Sequence, residues 1–304
     1  MAFKKFEPSP YPPRQWALVG YPGCGKSTFS AQLRGPLLAI DADHRYQEVL
    51  HLAGDAYKLS DNPADNIDPR RIAELLKSNM AGSAIRTIVV DSLTSIIAPV
   101  VTEAQLVNAA GENQNRVAAF VDKALFVRLL QDSITAYGTD VLWIYHLRDR
   151  RDEKAKLGAT TSISAVELAR LRRSLNMQLR IIHESDTRRG VMVEWARRGR
   201  AGFTLWDDTG CWRGMPERIE AAAYDGLGQA EQDAIEQEAP ASFTGPEAAI
   251  AWGFDQGCFR DAQHAQNAYT KLKTEKAPAS SAEMWTLWIQ DVRRRQQESD
   301  PAPQ

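Results

Sequence analysis

"QWALVGYPGCGKSTFSAQL" occupies residues 15–33, and its reading decides the fold. A strand-length apolar run ends at Gly20, four positions pass, and Gly25-Lys26-Ser27 follows. Gly-x-x-x-x-Gly-Lys-Ser between a strand and a helix is the P-loop pattern. Its glycines let backbone N–H groups turn inward around an anion, and the start of the helix adds its positive end. Lys26 is expected to reach the β- and γ-phosphates of a nucleotide. The Ser27 hydroxyl is expected to ligate Mg²⁺, and Thr28 to sit near the α-phosphate. The candidate cofactor-binding residues are therefore Gly20, Tyr21, Pro22, Gly23, Cys24, Gly25, Lys26, Ser27 and Thr28. Cys24 has two readings. A thiol near a helix N-terminus has a lowered pKa and can serve as a redox switch; alternatively it is a small residue of which only the backbone is used.

Outward from the loop, strand-like runs alternate with helical patterns from Gln15 to about Trp212. The runs are "WALVG" (16–20), "PLLAID" (36–41), "TIVVDS" (87–92), "VLWIYH" (141–146), "MQLRII" (177–182) and "VMVEWAR" (191–197). The first four are continuously apolar, as strands buried on both faces should be. In 115–138 the spacing of Val117, Phe120, Val121, Ala124 and Leu125 predicts a helix that Gly138 can terminate. The pattern implies an α/β fold with a mainly parallel sheet flanked by helices.

Two further positions belong with the loop. A Mg²⁺-nucleotide site needs a carboxylate at the end of a neighbouring strand, and Asp91 ends the run Ile88–Val90. Capping the next helix is its alternative role. Hydrolysis also needs a group that orients water. Asp41 and Asp43 follow "LLAI" on one side of an extended chain end. Asp43 lies further towards the nucleotide and is the better candidate; Asp41 reads as structural. His146 ends another buried strand, where a polar side chain can meet the γ-phosphate or the attacking water, or simply be hydrogen bonded in place.

Taken together, these residues resemble the RecA-like ATPases. "GYPGCGKST" looks like their Walker A segment, "TIVVDS" like their Walker B segment, and "IDADHR" is similar to the stretch carrying their catalytic glutamate. By that match Asp43 takes the glutamate position with one methylene fewer, which implies slow hydrolysis or another base. His146 falls where the family has a polar sensor. The nearest flavour is the short phage-encoded Sak group, associated with annealing and recombination. The resemblance spans about residues 15–212 and implies an oligomer, ring or filament, with ATP and Mg²⁺ as cofactors.

Charge is distributed unevenly. The 304 residues carry a net charge of −2, yet residues 148–200 hold fourteen bases against seven acids. Such asymmetry points to a polyanionic partner better than total charge does. "RDRRDEKAKLGATTSIS" follows the His146 strand and reads as a polar, mobile loop. By the resemblance, Arg148, Arg150, Arg151, Lys154 and Lys156 are candidate phosphate contacts to DNA, with single strands favoured. A solvated loop with internal ion pairs is the alternative. The loop holds no aromatic residue for base stacking. Arg197, Arg198 and Arg200 cluster about Gly199 between two strand-like pieces. The resemblance implies that Arg198 or Arg200 reaches a neighbouring subunit's nucleotide as an arginine finger. A hairpin with solvated arginines is the other reading.

The remaining chain is divided as an irregular lead-in (1–14), the core (15–212), an acidic linker or solvated helix pair (213–241), a helical module (242–296) and a frayed tail (297–304). Seven acids against one base mark 216–240. The module is expected to start with Thr244 as N-cap and to gather Trp252, Phe254, Phe259, Tyr269, Leu272, Trp285, Trp288 and Ile289 into a small core, with a protein partner as its possible ligand. No apolar run is long enough for a membrane span. No secretory leader is read at the N-terminus. Cys24, Cys211 and Cys258 form neither a zinc pattern nor a disulfide framework, so a cytoplasmic setting is expected. A P-loop ATPase that assembles a protein partner without touching DNA is the competing function.

Overall fold

Alternate residues of the first strand serve two different cores, and this decides the architecture. The computed structural model describes residues 9–109, 116–151, 157–161, 163, 165–185, 188–228, 231, 245–276, 278 and 281–299. Within them the strands are β1 (Gln15–Gly20), β2 (Leu37–Asp41), β3 (Ala56–Lys58), β4 (Thr87–Asp91), β5 (Asp140–Arg151), β6 (Leu157–Thr161), β7 (Met177–His183), β8 (Arg189–Ala196) and β9 (Phe203–Trp206). Trp16 and Leu18 of β1 face one cluster, with Phe29, Leu179, Trp212 and Ile219. Ala17 and Val19 face the other, with Ile40, Ile72, Ile96, Leu130 and Trp143. A strand covered on both faces has no solvent side, hence the unbroken apolar runs.

The strand order is β3-β2-β4-β5-β1-β7-β8-β9, with β6 paired to β5 off this path. The pairs from β3 to β7 are parallel, while β8 and β9 extend the sheet as antiparallel strands. One face is covered by α2 (Pro69–Asn79), α3 (Leu93–Ala109), α4 (Arg116–Thr135) and α5 (Ala165–Ser174), and the other by α1 (Lys26–Ser30) and α6 (Met215–Tyr224). This is the α/β fold of P-loop NTPases.

Three local expectations are corrected. The segment after His146 is not simply a loop: β5 continues to Arg151, and Leu147–Arg151 pairs antiparallel with Leu157–Thr161. β-Branched Thr160 and Thr161 suit a paired ribbon better than a coil. Part of the expected acidic linker is core: α6 buries Met215, Ile219 and Ala223. Its acids are not all solvated, since Glu220 is buried against Arg14 at 2.6 Å. Acid counting missed this because Met215, Ile219 and Ala223 recur at helical spacing between the acids, and counting charges does not register that spacing.

Glu236–Gln304 forms a separate unit. Its helices are α7 (Pro246–Asp255), α8 (Ala262–Lys276) and α9 (Ser281–Ser299). Trp288 is fully buried, stacked on Phe259 at 5.4 Å and edge-on to Tyr269 at 5.2 Å, and its indole donates to the Ala249 carbonyl. Phe254, expected in this core, is instead exposed. Gly245 holds the position before α7, and Thr244 lies outside the described residues. Among the described residues, no helix is long and apolar enough to cross a membrane.

Candidate functional site

Register alone brings the distant candidates to one edge. Gly20 is level with His146, and Asp41 with Asp91, all at the carboxyl ends of parallel strands. Ligands of open α/β sheets sit at that edge. The chain leaves β1 through Tyr21 and Pro22, then turns on Gly23 (φ +77°) and Gly25 (φ +93°). Those are left-handed angles that a side chain would strain. α1 has only five residues, so the loop backbone contributes more of the cradle than a long helix dipole would.

Lys26 is buried, and its Nζ donates to the carbonyls of Gly20 and Tyr21 at 3.0 and 2.7 Å. Burial holds its pKa below the ordinary lysine value. Ser27 Oγ donates to Asp91 Oδ2 at 2.6 Å. Burial pushes Asp91 up to about 6, against the hydrogen bond from Ser27. One hydroxyl and one carboxylate form a hard oxygen pair of the kind Mg²⁺ takes when phosphate oxygens and water complete its shell. The residues present therefore fit that ion. No group of three or more His, Cys, Asp or Glu side chains among the described residues offers a protein-only cage.

Asp43 and His146 meet directly: Nε2 lies 2.9 Å from Asp43 Oδ2. Ser92 donates to Asp43 Oδ1 at 3.0 Å, and Ser95 donates to the same oxygen. Burial raises the Asp43 pKa, but the bonds from His146 and Ser95 outweigh it and bring it to about 2. A carboxylate so acidic is a weak proton acceptor. The backbone N–H of His146 donates to Thr94 at 3.0 Å, and its Nδ1 is buried without a partner among the described residues. Asp41 accepts from the backbone of Arg45 and Tyr46, a capping role. Cys24 is buried, and burial raises its pKa, so its surroundings do not favour a reactive thiolate.

The basic candidates separate. Arg148 is exposed on the β5–β6 ribbon, and Arg150 and Arg151 lie on the same strand. Lys154 and Lys156 fall outside the described residues. Arg198 and Arg200 follow β8, whose end at Ala196 is level with Met177, the start of β7. That is the opposite end of the sheet from Gly20. Arg200 is also tied within its own chain, to the Asp225 carbonyl at 2.7 Å and to Glu231 at 3.5 Å.

Arg189 and Trp212, which no motif marks, reach the loop. The Trp212 indole donates to the Gly25 carbonyl at 3.0 Å, across 187 residues of sequence. The Arg189 guanidinium lies 4.5 Å from the Trp212 ring centroid and pairs with Asp207 at 3.3 Å. An Arg and a Trp far from the loop carry no spacing signal; only pairing of β8 with β7 brings them there.

With this geometry in place, comparison with known proteins matches the chain to a family and to solved structures. The profile of a family described as AAA domain matches residues 13–189, which include the loop, Asp43, Asp91 and His146. Among solved structures, the chain is similar to a crystal structure of the RadB recombinase, at 18% identity and a TM-score of 0.39, over 64% of this chain and 87% of that one. No curated protein matches.

Proposed function

Because the chain belongs to the AAA domain family, we propose that it binds ATP with Mg²⁺, hydrolyses it and acts on DNA as an oligomer, in recombination, repair or annealing. The observation that carries the nucleotide reading is the Ser27–Asp91 contact of 2.6 Å beside buried Lys26. In this reading Lys26 leaves the Gly20 and Tyr21 carbonyls for the β- and γ-phosphates. Ser27 and Asp91 hold Mg²⁺, which when bound neutralises charge on phosphate oxygens. The Asp43–His146 pair orients the attacking water as a unit, since each group holds the other, and opening their bond frees Asp43 Oδ2. The low Asp43 pKa supports slow turnover.

Exposed Arg148 and its neighbours on the ribbon support contact with a phosphate backbone. The position of Arg198 at the far end of the sheet is compatible with service to a second subunit, whereas the bonds of Arg200 within its own chain count against it. Turnover by the Arg198→Ala protein at the wild-type rate would remove the finger.

ATP turnover with Mg²⁺, with and without single- and double-stranded DNA, tests the whole reading, with sizing in ATP alongside. Turnover absent from the Lys26→Ala protein and stimulated by single strands is expected. Turnover by an oligomer that ignores DNA would favour the partner-assembling reading.

A further inference from the structure

Gly25 is gripped from outside the loop. A methyl carbon placed on it would lie 2.6 Å from Arg189 Nη1 and 3.0 Å from Trp212 Nε1. Its carbonyl already accepts from that indole. Both gripping residues are fixed. Arg189 pairs with Asp207 through Nε and donates to the Gly210 carbonyl through Nη2, with its plane over the Trp212 ring. The backbone N–H of Trp212 donates to Asp207 at 3.3 Å, and its ring is fully buried, edge-on to Phe29 of α1. Trp212 also holds φ +64°, rare for a bulky residue and maintained only where the surroundings impose it. A strained tryptophan and a three-way-bonded arginine thus converge on the one loop residue that precedes Lys26.

We propose that Arg189 and Trp212 are positioning residues of the nucleotide site, acting in cis through Gly25. Trp212 holds that peptide through its indole, and Arg189 flanks Gly25 while bracing the Trp212 ring; together they set the direction of the Gly25–Ser27 backbone and hence the cradle for the phosphate chain shared by ADP and ATP. They touch neither the γ-phosphate nor the water-orienting pair. The cradle is preformed by the β8–β9 edge rather than by the loop alone, and preorganised donors bind more tightly than ones ordered at the moment of binding. The inference rests on the nucleotide-binding reading above.

The test is titration of the full chain with Mg-ADP and Mg-ATP. Arg189→Ala and Arg189→Lys are each expected to weaken both nucleotides equally, by roughly tenfold, because the brace that preorganises the cradle is lost. Lysine does not rescue, because it lacks the planar fork and the stack on Trp212. Trp212→Phe keeps an aromatic ring at this position but loses the indole donor and part of the buried bicycle; it is expected to weaken both by about threefold. Combined with Arg189→Ala, its effect is expected to be less than additive, as for groups sharing one target. Melting of the free proteins, read separately, distinguishes loss of the brace from loss of the fold.

Folded variants that bind both nucleotides like wild type overturn the proposal, as does weakening of ATP alone, which would make Arg189 a reader of the γ-phosphate. If Arg189→Ala does not fold, Trp212→Phe and Arg189→Lys decide by the same measure. A wild-type chain that binds no better than Lys26→Ala would instead defeat the nucleotide reading itself.

Discussion

The two ends of one sheet treat buried charge in opposite ways. At the amino end of the parallel strands, the fully buried Arg14 guanidinium is answered by Glu220 at 2.6 and 3.0 Å and by Glu217 at 2.9 Å, while Arg34 also reaches Glu220. At the carboxyl end, Lys26 and Asp91 are both buried, yet among the described residues neither has an ion-pair partner; each is satisfied by neutral groups. Burial shifts both away from their charged forms, Lys26 downward and Asp91 upward. At the first end charge is spent on holding elements together. At the second, among the described residues, neither charge is answered by an opposite one, and buried groups so perturbed are candidates for function.

Breaking the paired end should have the largest effect. Glu220→Ala leaves Arg14 buried without its main partner and is expected to cost about 3–5 kcal/mol. Arg14→Met combined with Glu220→Leu should recover most of that loss, since a packed apolar pair replaces a buried ion pair. Denaturant unfolding measures both. A cost under about 1 kcal/mol for Glu220→Ala would show that this end is not held by charge.

Lys26→Met tests the other end and should reverse the sign. Nucleotide affinity is expected to fall by about 2–3 kcal/mol, roughly a hundredfold. The free protein should meanwhile hold or gain about 1 kcal/mol, because a desolvated ammonium is removed. Calorimetric titration and thermal melting read the two quantities independently.

Asp43 sharpens the contrast, since both of its oxygens are engaged by side chains, Oδ1 by Ser92 and Ser95 and Oδ2 by His146. Its folded pKa is depressed to about 2. Its stabilisation is therefore complete above the ordinary carboxylate range near pH 4 and lost as pH falls through 2. Between pH 5 and 2 the wild-type protein should lose up to about 2 kcal/mol more stability than Asp43→Asn, seen as a difference in unfolding midpoint. The smallest effect is expected at Arg200→Ala. Its pair with Glu231 is exposed, and its removal should cost under about 1 kcal/mol.

Most of the sheet was legible because buried parallel strands must be apolar on both faces, and β1, β2, β4 and β5 are written that way. The phosphate loop was legible because its chemistry fixes both residue type and spacing. β3 was not, since three residues at a sheet edge leave no period to read. β6 was hidden because its pairing depends on a partner strand that ends in charged residues. α6 was obscured by its acids, of which Glu220 is inward-facing only because Arg14 and Arg34 wait there.

By itself, then, the sequence marked the loop and the strands behind it, from local spacing and apolar runs, and offered Lys26, Ser27, Asp91, Asp43 and His146 as the candidate residues beside them. Only the tertiary structure decided which of them touch. It set Ser27 on Asp91 and His146 on Asp43, and it carried Arg189 and Trp212 to Gly25 while leaving Arg198 and Arg200 at the far end. The physical reason is strand order: neighbours across a sheet are chosen by pairing between segments far apart in the chain, and no local pattern records that choice.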